Sequence, residues 1–204
     1  MIFRPEQLRE VEAIHAVERA AFGREAEAGL VDQIRASGGI TLSRVAVDDD
    51  EIVGHVLFSP VTIRSETGEV RALGMGPVAV RPERQKQGVG SGLIRTSLDI
   101  LHQQGYAVVV VEGDPIYYAR FGFEDASRFG LDCEFNPPPG CFRVLELRAG
   151  ALAGRTGRVY YLPEFQNVGW SLREISTHTA IVARTFEAVR VRARPDCKSR
   201  GEAR

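Results

Sequence analysis

Four consecutive valines, in the segment YAVVVVEGD at residues 106–114, restrict the fold of this chain more than any other feature. A continuous β-branched run without polar alternation is typical of a strand that is covered on both faces. Upstream, residues 91–104 carry leucine and isoleucine at helical spacing, and residues 70–80 form another β-rich run. This order predicts a mixed sheet with a crossover helix between Val80 and Tyr106.

Hydrophobic spacing elsewhere in the chain predicts further helices and strands. The helices are predicted at residues 6–21, 25–36 and 115–120, and the strands at residues 42–47, 52–63, 141–147 and 157–162. The predicted fold class is therefore mixed α/β, with a central mixed β-sheet flanked by helices.

Composition excludes several classes of protein. The chain has 204 residues, 44% of them hydrophobic, and a formal net charge of -1, which is typical of a globular protein and argues against nucleic acid as a partner. No apolar run approaches the roughly 20 residues that span a bilayer, so no membrane association is expected. The N-terminus lacks the pattern of a signal peptide, and we expect a cytoplasmic protein. The three cysteines and four histidines show no ligand spacing, so no metal site is predicted.

The C-terminal segment differs in charge from the rest of the chain. After Gly169 there are eight lysines and arginines against four acidic residues, a net charge of +4. We therefore predict a domain at residues 1–168 and a basic extension at residues 169–204, with a helix at residues 177–191. The extension either binds an acidic protein or RNA, or is a solvated terminal helix. Formation of a homodimer is a further possibility that the sequence leaves open.

A glycine-rich segment, RPERQKQGVGSGL at residues 81–93, joins the predicted strand 70–80 to the crossover helix. We call it the glycine loop. Its glycines, at positions 88, 90 and 92, each cost a helix about 1 kcal/mol relative to alanine. A helix N-terminus has unpaired N–H groups and partial positive charge, so bare backbone there favours an anion such as pyrophosphate. The alternative is that the glycines only allow close packing of the helix on the sheet.

Polar side chains in the glycine loop add to this anion site. Arg84 and Lys86 supply positive charge, and Gln85 and Gln87 supply neutral donors. The loop lacks the spacing GxxxxGK[ST] of a P-loop. Its third glycine is not at the spacing of the dinucleotide fingerprint, and no acidic residue is placed to hold a ribose. The residues therefore indicate a phosphate or pyrophosphate ligand that is bound by a loop of neither kind.

Several motifs resemble one known family. Gln85-x-x-Gly88-x-Gly90 resembles the acyl-CoA signature [QR]-x-x-G-x-[GA] of the GNAT superfamily of N-acetyltransferases. The segments at 76–82, 113–123 and 144–154, GPVAVRP, GDPIYYARFGF and VLELRAGALAG, are similar to the YhbS-type branch of that superfamily. The resemblance covers about residues 1–168 and implies the GNAT acyl-CoA acyltransferase fold with a splayed fourth strand.

The resemblance implies transfer of an acetyl group from acetyl-CoA to an amine of a small-molecule or peptide acceptor, by direct attack in a ternary complex. The acetyl-CoA-binding residues that it implies are Val78, Ala79, Val80, Gln85, Lys86, Gln87, Gly88, Val89, Gly90 and Ser91. The residues themselves also favour a splayed strand, because Pro77 cannot donate to a ladder and Gly76 weakens one. A noncatalytic acyl-CoA-binding module of the same fold is the alternative function.

Catalytic candidates follow from the same resemblance. Tyr118, four residues before the glycine of the GF motif, would be the general acid that protonates the departing thiolate. Glu112, at the end of the valine strand, and His55, in the predicted hairpin, are candidates for the general base. Glu112 could equally be structural, His55 a core histidine, and a water chain could replace both.

Overall fold

The computed structural model describes residues 1–66 and 68–168, so the predicted helix at residues 177–191 lies outside the described part. The α-helices of the described residues are α1 (Val11–Phe22), α2 (Ala26–Ala36), α3 (Val89–Gln103) and α4 (Pro115–Ala119). Their strands are β1 (Ile2–Pro5), β2 (Leu42–Asp48), β3 (Glu51–Ser65), β4 (Gly68–Val80), β5 (Val108–Glu112), β6 (Glu124–Asp125), β7 (Leu131–Cys133), β8 (Phe142–Glu146) and β9 (Gly157–Tyr160).

The predicted mixed α/β class is confirmed, and each element predicted within the described residues is present. The strands that hydrophobic spacing did not predict are β1, β6 and β7, which have only four, two and three residues. Segments this short contain too few positions for an alternating pattern, so their strand conformation depends on the neighbouring strands.

One sheet joins the strands, in the order β1-β2-β3-β4-β5-β8-β6, and β9 pairs with both β3 and β7. The pairs β4–β5 and β7–β9 are parallel, whereas the other pairs are antiparallel. Helix α3 makes the crossover that a parallel β4–β5 pair requires.

Strands β4 and β5 lie side by side over only a short distance. They pair at Leu73↔Val109 and Gly74↔Val110, after which β4 continues to Val80 and β5 to Glu112. We call the gap between the two strands beyond these pairs the strand opening. Within it, the edge of β4 that faces β5 is released from the ladder.

The departure of β4 coincides with a bulge against β3. Met75 pairs with Phe58 but Val78 pairs with Val56, so Gly76 and Pro77 together oppose Leu57. The Gly76-Pro77 peptide bond is cis. This confirms the break that the sequence predicted at these two residues, because neither supports regular ladder pairing.

Helices cover the sheet on both faces. Leu73, Met75, Val109 and Val111 pack in one core cluster that includes the apolar side of α3. Their alternate neighbours, such as Val108 and Val110, point to the opposite face. On that face α1 and α2 pack against Leu57 and Ala79, among other residues. The strand opening therefore connects the face of the sheet that α3 covers with the face that α1 and α2 cover.

Gly92 is a packing glycine. A Cβ atom built at this position would overlap the ring of Phe3 from β1. We expect Gly92→Ala to lower the free energy of unfolding by about 1 to 3 kcal/mol, the usual cost of overpacking, despite the better helix propensity of alanine. Urea unfolding measures the change.

Gly29→Ala is the matched control, because Gly29 lies inside α2 and a Cβ there would meet nothing within 4 Å. We expect this variant to be more stable than the wild type by up to about 1 kcal/mol. If Gly92→Ala stabilised the protein as Gly29→Ala does, the packing role of Gly92 would be wrong.

Candidate functional site

The N-terminus of α3 presents backbone N–H groups to the strand opening. Gly88 caps the helix with φ +86°, a conformation that favours glycine, and the first helical hydrogen bond runs from Gly92 N–H to Gly88 O at 2.8 Å. The N–H groups of Val89, Gly90 and Ser91 precede this bond, so the helix itself supplies no acceptor for them. The first turn carries no acidic residue. These features form an anion site.

The side chains of the glycine loop brace the loop. Gln85 donates from Nε2 to the Val80 carbonyl at 3.1 Å, and Gln87 donates to the Glu83 carbonyl at 3.0 Å. Arg84 forms an ion pair with Asp48 at the end of β2. Because these donors hold the loop in place, the anion site relies more on backbone N–H groups than the sequence indicated.

Gly90 faces the strand opening. A Cβ atom there would lie 3.0 Å from the Tyr117 hydroxyl oxygen and 3.5 Å from Cγ2 of Val80. The N-terminus of α3, the end of β4 and the α4 segment therefore meet at this point. Val78 and Val80 turn partly exposed side chains toward the α3 face, whereas Ala79 is buried on the opposite face. The segments carrying the predicted cofactor-binding residues lie together around the opening.

Tyr118 covers the end of β5. Asp114 caps α4 by accepting hydrogen bonds from the N–H groups of Ile116 (2.7 Å) and Tyr117 (2.9 Å). The Tyr118 ring then lies directly over Gly113, with its centroid 5.8 Å from that of Phe123. Burial, assisted by Tyr117 and Asp114, raises the pKa of Tyr118 above its ordinary value of 10. The hydroxyl group is therefore protonated at neutral pH and is available as a hydrogen-bond donor.

Glu112 is the last residue of β5 and lies beside the strand opening. Its backbone pairs with Phe142 of β8, and its Oε1 is buried without a hydrogen-bond partner among the described residues. Burial raises the pKa of Glu112 to about 7. A carboxylate with this pKa can accept a proton at neutral pH, as a general base must.

His55 is a core histidine. Its side chain is fully buried on β3, with Nδ1 2.6 Å from Glu18 Oε1 and Nε2 2.8 Å from Ser43 Oγ. Both ring nitrogens are committed to this network, which joins α1, β2 and β3. The structural interpretation of His55 therefore holds, and Glu112 is the better candidate for the base.

Tyr161 lies at the end of the strand opening, a position that the sequence did not indicate. A Cβ atom at Gly74 would lie 2.9 Å from Tyr161 Cε1, so the ring rests on the backbone of β4 where its pairing with β5 ends. The one signal in the sequence is Gly74 itself, since glycine inside a strand often marks the close approach of another group.

The described residues contain neither a membrane-spanning helix nor a metal-binding cluster. No helix at 1–66 or 68–168 is long and apolar enough to cross a membrane. Over the same residues, no group of three or more histidine, cysteine or acidic side chains is placed to hold a metal ion.

Comparison with known proteins identifies this arrangement. The family described as "Acetyltransferase (GNAT) domain" matches residues 3–126. The uncharacterized N-acetyltransferase YhbS of Escherichia coli K12 is 40% identical over 166 residues, which are 81% of this chain and 98% of the relative.

Solved structures agree with this match. The crystal structure of Escherichia coli YhbS in complex with CoA is similar with a TM-score of 0.78 and 38% identity, covering 82% of this chain and 93% of that one. A GNAT family acetyltransferase from Brucella melitensis in complex with acetyl-CoA has a TM-score of 0.67 and 34% identity, covering 80% and 97%. The chain therefore belongs to the GNAT family of N-acetyltransferases.

Proposed function

We propose that this protein transfers an acetyl group from acetyl-CoA to an amine by direct attack in a ternary complex. The observation that carries the proposal is the strand opening, which lies beside the free N–H groups at the start of α3. A long ligand with an anionic centre can place its anion on these N–H groups while its arm enters the opening. The binding of CoA by Escherichia coli YhbS and of acetyl-CoA by the Brucella protein supports this assignment.

In this proposal the cofactor is held mainly by backbone groups. The pyrophosphate would lie on the glycine loop, from Gln85 to Ser91, with Val89 and Gly90 in the first turn of α3. The pantetheine arm would take backbone hydrogen bonds from Val78 to Val80, because β4 no longer pairs with β5 there. These are the cofactor-binding residues that the sequence predicted.

The reaction needs one proton removed and one proton supplied. The amine nitrogen attacks the thioester carbon, and a backbone N–H near Val78 would stabilise the oxyanion. The carbon–sulfur bond then breaks and the thiolate leaves. Glu112 takes a proton from the attacking nitrogen, and Tyr118 donates a hydrogen bond to the thiolate sulfur. The thiolate takes up its own proton from solvent on release, and Glu112 returns its proton to solvent.

The weak acidity of Tyr118 suits a hydrogen-bond donor. An exposed thiol has a pKa of about 8.5, below that of a buried tyrosine, so complete proton transfer would be unfavourable in water. A thiolate inside the strand opening also loses hydration, which raises the pKa of the CoA thiol. The pKa values of the thiol and of Tyr118 are then closer together. The hydrogen bond from Tyr118 therefore stabilises the thiolate more strongly when water is excluded from the strand opening.

The amine would reach the thioester from the α1–α2 face. On that face a cavity of about 150 Å³ is lined by the loop Pro137–Gly140 together with Cys133 and Phe142. Phe142, which lines this cavity, pairs with Glu112 in the neighbouring strand, so the cavity and the proposed base belong to the same part of the sheet. We propose a small-molecule or peptide amine as the acceptor.

Release of free CoA thiol tests the function directly. Purified full-length protein is incubated with acetyl-CoA and with polyamines, amino acids, aminoglycosides or peptides in turn, and thiol is followed with a chromogenic disulfide. We expect thiol release that depends on one class of amine. If calorimetry shows CoA binding but every amine gives a blank, the noncatalytic binding module is the better function.

Glu112→Gln tests the base. For the wild type we expect kcat/KM to rise with pH through about 7 and then level off, because only the ionised carboxylate accepts a proton. Glu112→Gln should lower the plateau by about 10²-fold and remove the limb near pH 7. Using the same acceptor for both enzymes cancels any titration of the amine itself.

Stability supplies an independent control. The Glu112 carboxyl has an ordinary pKa of 4.5 when unfolded and about 7 when folded, so the folded state binds the extra proton between these values. Wild-type stability should therefore fall as pH rises across this window, by at most about 1 kcal/mol per pH unit, and Glu112→Gln should lack this component. An unchanged pH–rate profile in Glu112→Gln would exclude Glu112 as the base.

A further inference from the structure

Tyr161 directly follows β9, and its ring lies at the end of the strand opening. Strand β9 pairs with β3 at Thr62↔Tyr160, so the next residue enters the layer that covers the α1–α2 face of the sheet. There the Tyr161 ring lies on Gly74, whose pairing with Val110 is the last before β4 and β5 separate. The ring therefore stands at the closed end of the opening, on the face opposite α3.

Neighbouring groups hold the Tyr161 ring in this position. Its centroid lies 5.5 Å from that of Phe135 and 5.0 Å from that of Phe165. Its backbone N–H donates to Glu134 Oε1 at 2.6 Å, and Glu134 Oε2 accepts from Gln166 Nε2 at 3.0 Å. Two aromatic contacts hold the ring, and a charge-assisted hydrogen bond holds the backbone of the same residue, so the ring forms a fixed wall at the end of the strand opening.

Tyr161 and Glu112 share the same face of the sheet. Val108 and Val110 pack on the face opposite α3, and the alternation along β5 directs Glu112 to that face as well. Burial raises the pKa of Tyr161, and the Cys133, Glu112 and Glu134 side chains add to this effect. The other ionisable groups near Glu112 include Cys133 and Cys141, with Asp114, Asp125 and Arg143 near Cys141.

Nothing else among the described residues satisfies the buried Oε1 of Glu112. This oxygen is thus held away from solvent without a hydrogen-bond partner, and the Tyr161 ring lies on the same face of the sheet, at the end of the β4–β5 pairing. We propose that Tyr161 is a positioning residue for acetyl transfer, whose ring closes only the inner end of the strand opening on the α1–α2 face and keeps solvent away from Glu112. This inference rests on the proposed function, in which Glu112 is the base.

The test compares Tyr161→Leu, Tyr161→Phe and the control Tyr160→Leu. Tyr160 is adjacent in sequence, but its ring contacts the exposed Arg64, with a centroid-to-Cζ distance of 4.7 Å. The first readout is carboxyl ¹³C NMR of glutamate-labelled protein, in which Glu112→Gln identifies the Glu112 signal. This titration needs no acceptor, so it does not depend on activity. The second readout is the pH dependence of kcat/KM.

We expect water to reach Glu112 in Tyr161→Leu. The pH midpoint of the Glu112 titration and the pH midpoint of the rise in kcat/KM should then both fall by about one pH unit or more. Tyr161→Phe keeps the ring and should move neither by more than about 0.3 unit, and Tyr160→Leu should match the wild type. If the Glu112 midpoint stays at the wild-type value in folded Tyr161→Leu, the inference is wrong even when the enzyme transfers acetyl groups. If the midpoint moves but the wild type releases no thiol with any amine, the proposed function fails while the shielding of Glu112 stands.

A second variant covers the case in which Tyr161→Leu does not fold. Gly74→Ala adds a Cβ atom 2.9 Å from Tyr161 Cε1 and 3.0 Å from Val61 Cγ1, so it crowds the ring without removing it. CoA affinity and a cooperative melting transition establish that each variant is folded. A lowered Glu112 midpoint in Gly74→Ala supports the role of the ring, and an unchanged midpoint overturns it.

Discussion

Tyr118→Phe is expected to lower kcat about 10²-fold or more while the Kd for CoA stays within about threefold of the wild-type value. The Tyr118 ring lies over Gly113 at the end of β5. In the proposed mechanism its hydroxyl group donates to the thiolate only when the carbon–sulfur bond breaks, so its loss affects the transition state more than the bound cofactor. The phenyl ring remains to fill the space against Phe123. Thiol-release kinetics give kcat, and calorimetry gives the Kd.

Tyr117→Phe is the matched control. The two rings are neighbours, with centroids 5.1 Å apart, but the Tyr117 hydroxyl group lies at the start of α3, beside Gly90. We expect its removal to weaken CoA binding modestly and to leave kcat nearly unchanged. The reverse pattern, in which Tyr117→Phe loses kcat and Tyr118→Phe does not, would transfer the role of acid to Tyr117.

Gly90→Val is expected to weaken CoA binding by more than 10²-fold while the protein still folds. The Cβ atom would lie 3.0 Å from the Tyr117 hydroxyl oxygen and 3.5 Å from Val80 Cγ2, and the two methyl groups would extend into the mouth of the strand opening. They would also cover the first-turn N–H groups that receive the pyrophosphate. Calorimetric titration with CoA measures the loss, and urea unfolding measures the stability.

Gly29→Val separates this effect from helix propensity. It makes the same exchange inside α2, where a Cβ atom meets nothing within 4 Å, so it carries a similar propensity cost without obstruction. We expect wild-type CoA affinity for Gly29→Val. If Gly90→Val also bound CoA normally, the glycine at position 90 would serve packing instead of the ligand.

The three glycines of the glycine loop illustrate how far local sequence reaches. Their spacing indicated an anion site or close packing, and the structure assigns different physical reasons to different positions. Gly88 adopts a positive φ as the N-cap, Gly90 leaves room at the strand opening, and Gly92 makes space for Phe3. The sequence could not separate these reasons, because Phe3 and Tyr117 are far from the loop along the chain.

Several predictions from the sequence stay predictions. They are the division into a domain at residues 1–168 and a basic extension at residues 169–204, the cytoplasmic location, and the formation of a homodimer. Size-exclusion chromatography with light scattering would measure the oligomeric state. Comparing the full chain with a version that ends at residue 168 would show whether the extension contributes to that state.

The amino-acid sequence by itself determined the features that local chemistry controls. The valine run specified a buried strand, Gly76-Pro77 specified a break in pairing, and the glycine loop specified a helix start with free N–H groups. Tertiary structure decided the features that depend on residues distant in the chain. It placed the Tyr161 ring against Gly74, on the face of the sheet that Glu112 shares, and joined His55 to Glu18 in the core. The physical reason is that burial and contact change the pKa and the role of a side chain, and only the folded chain creates them.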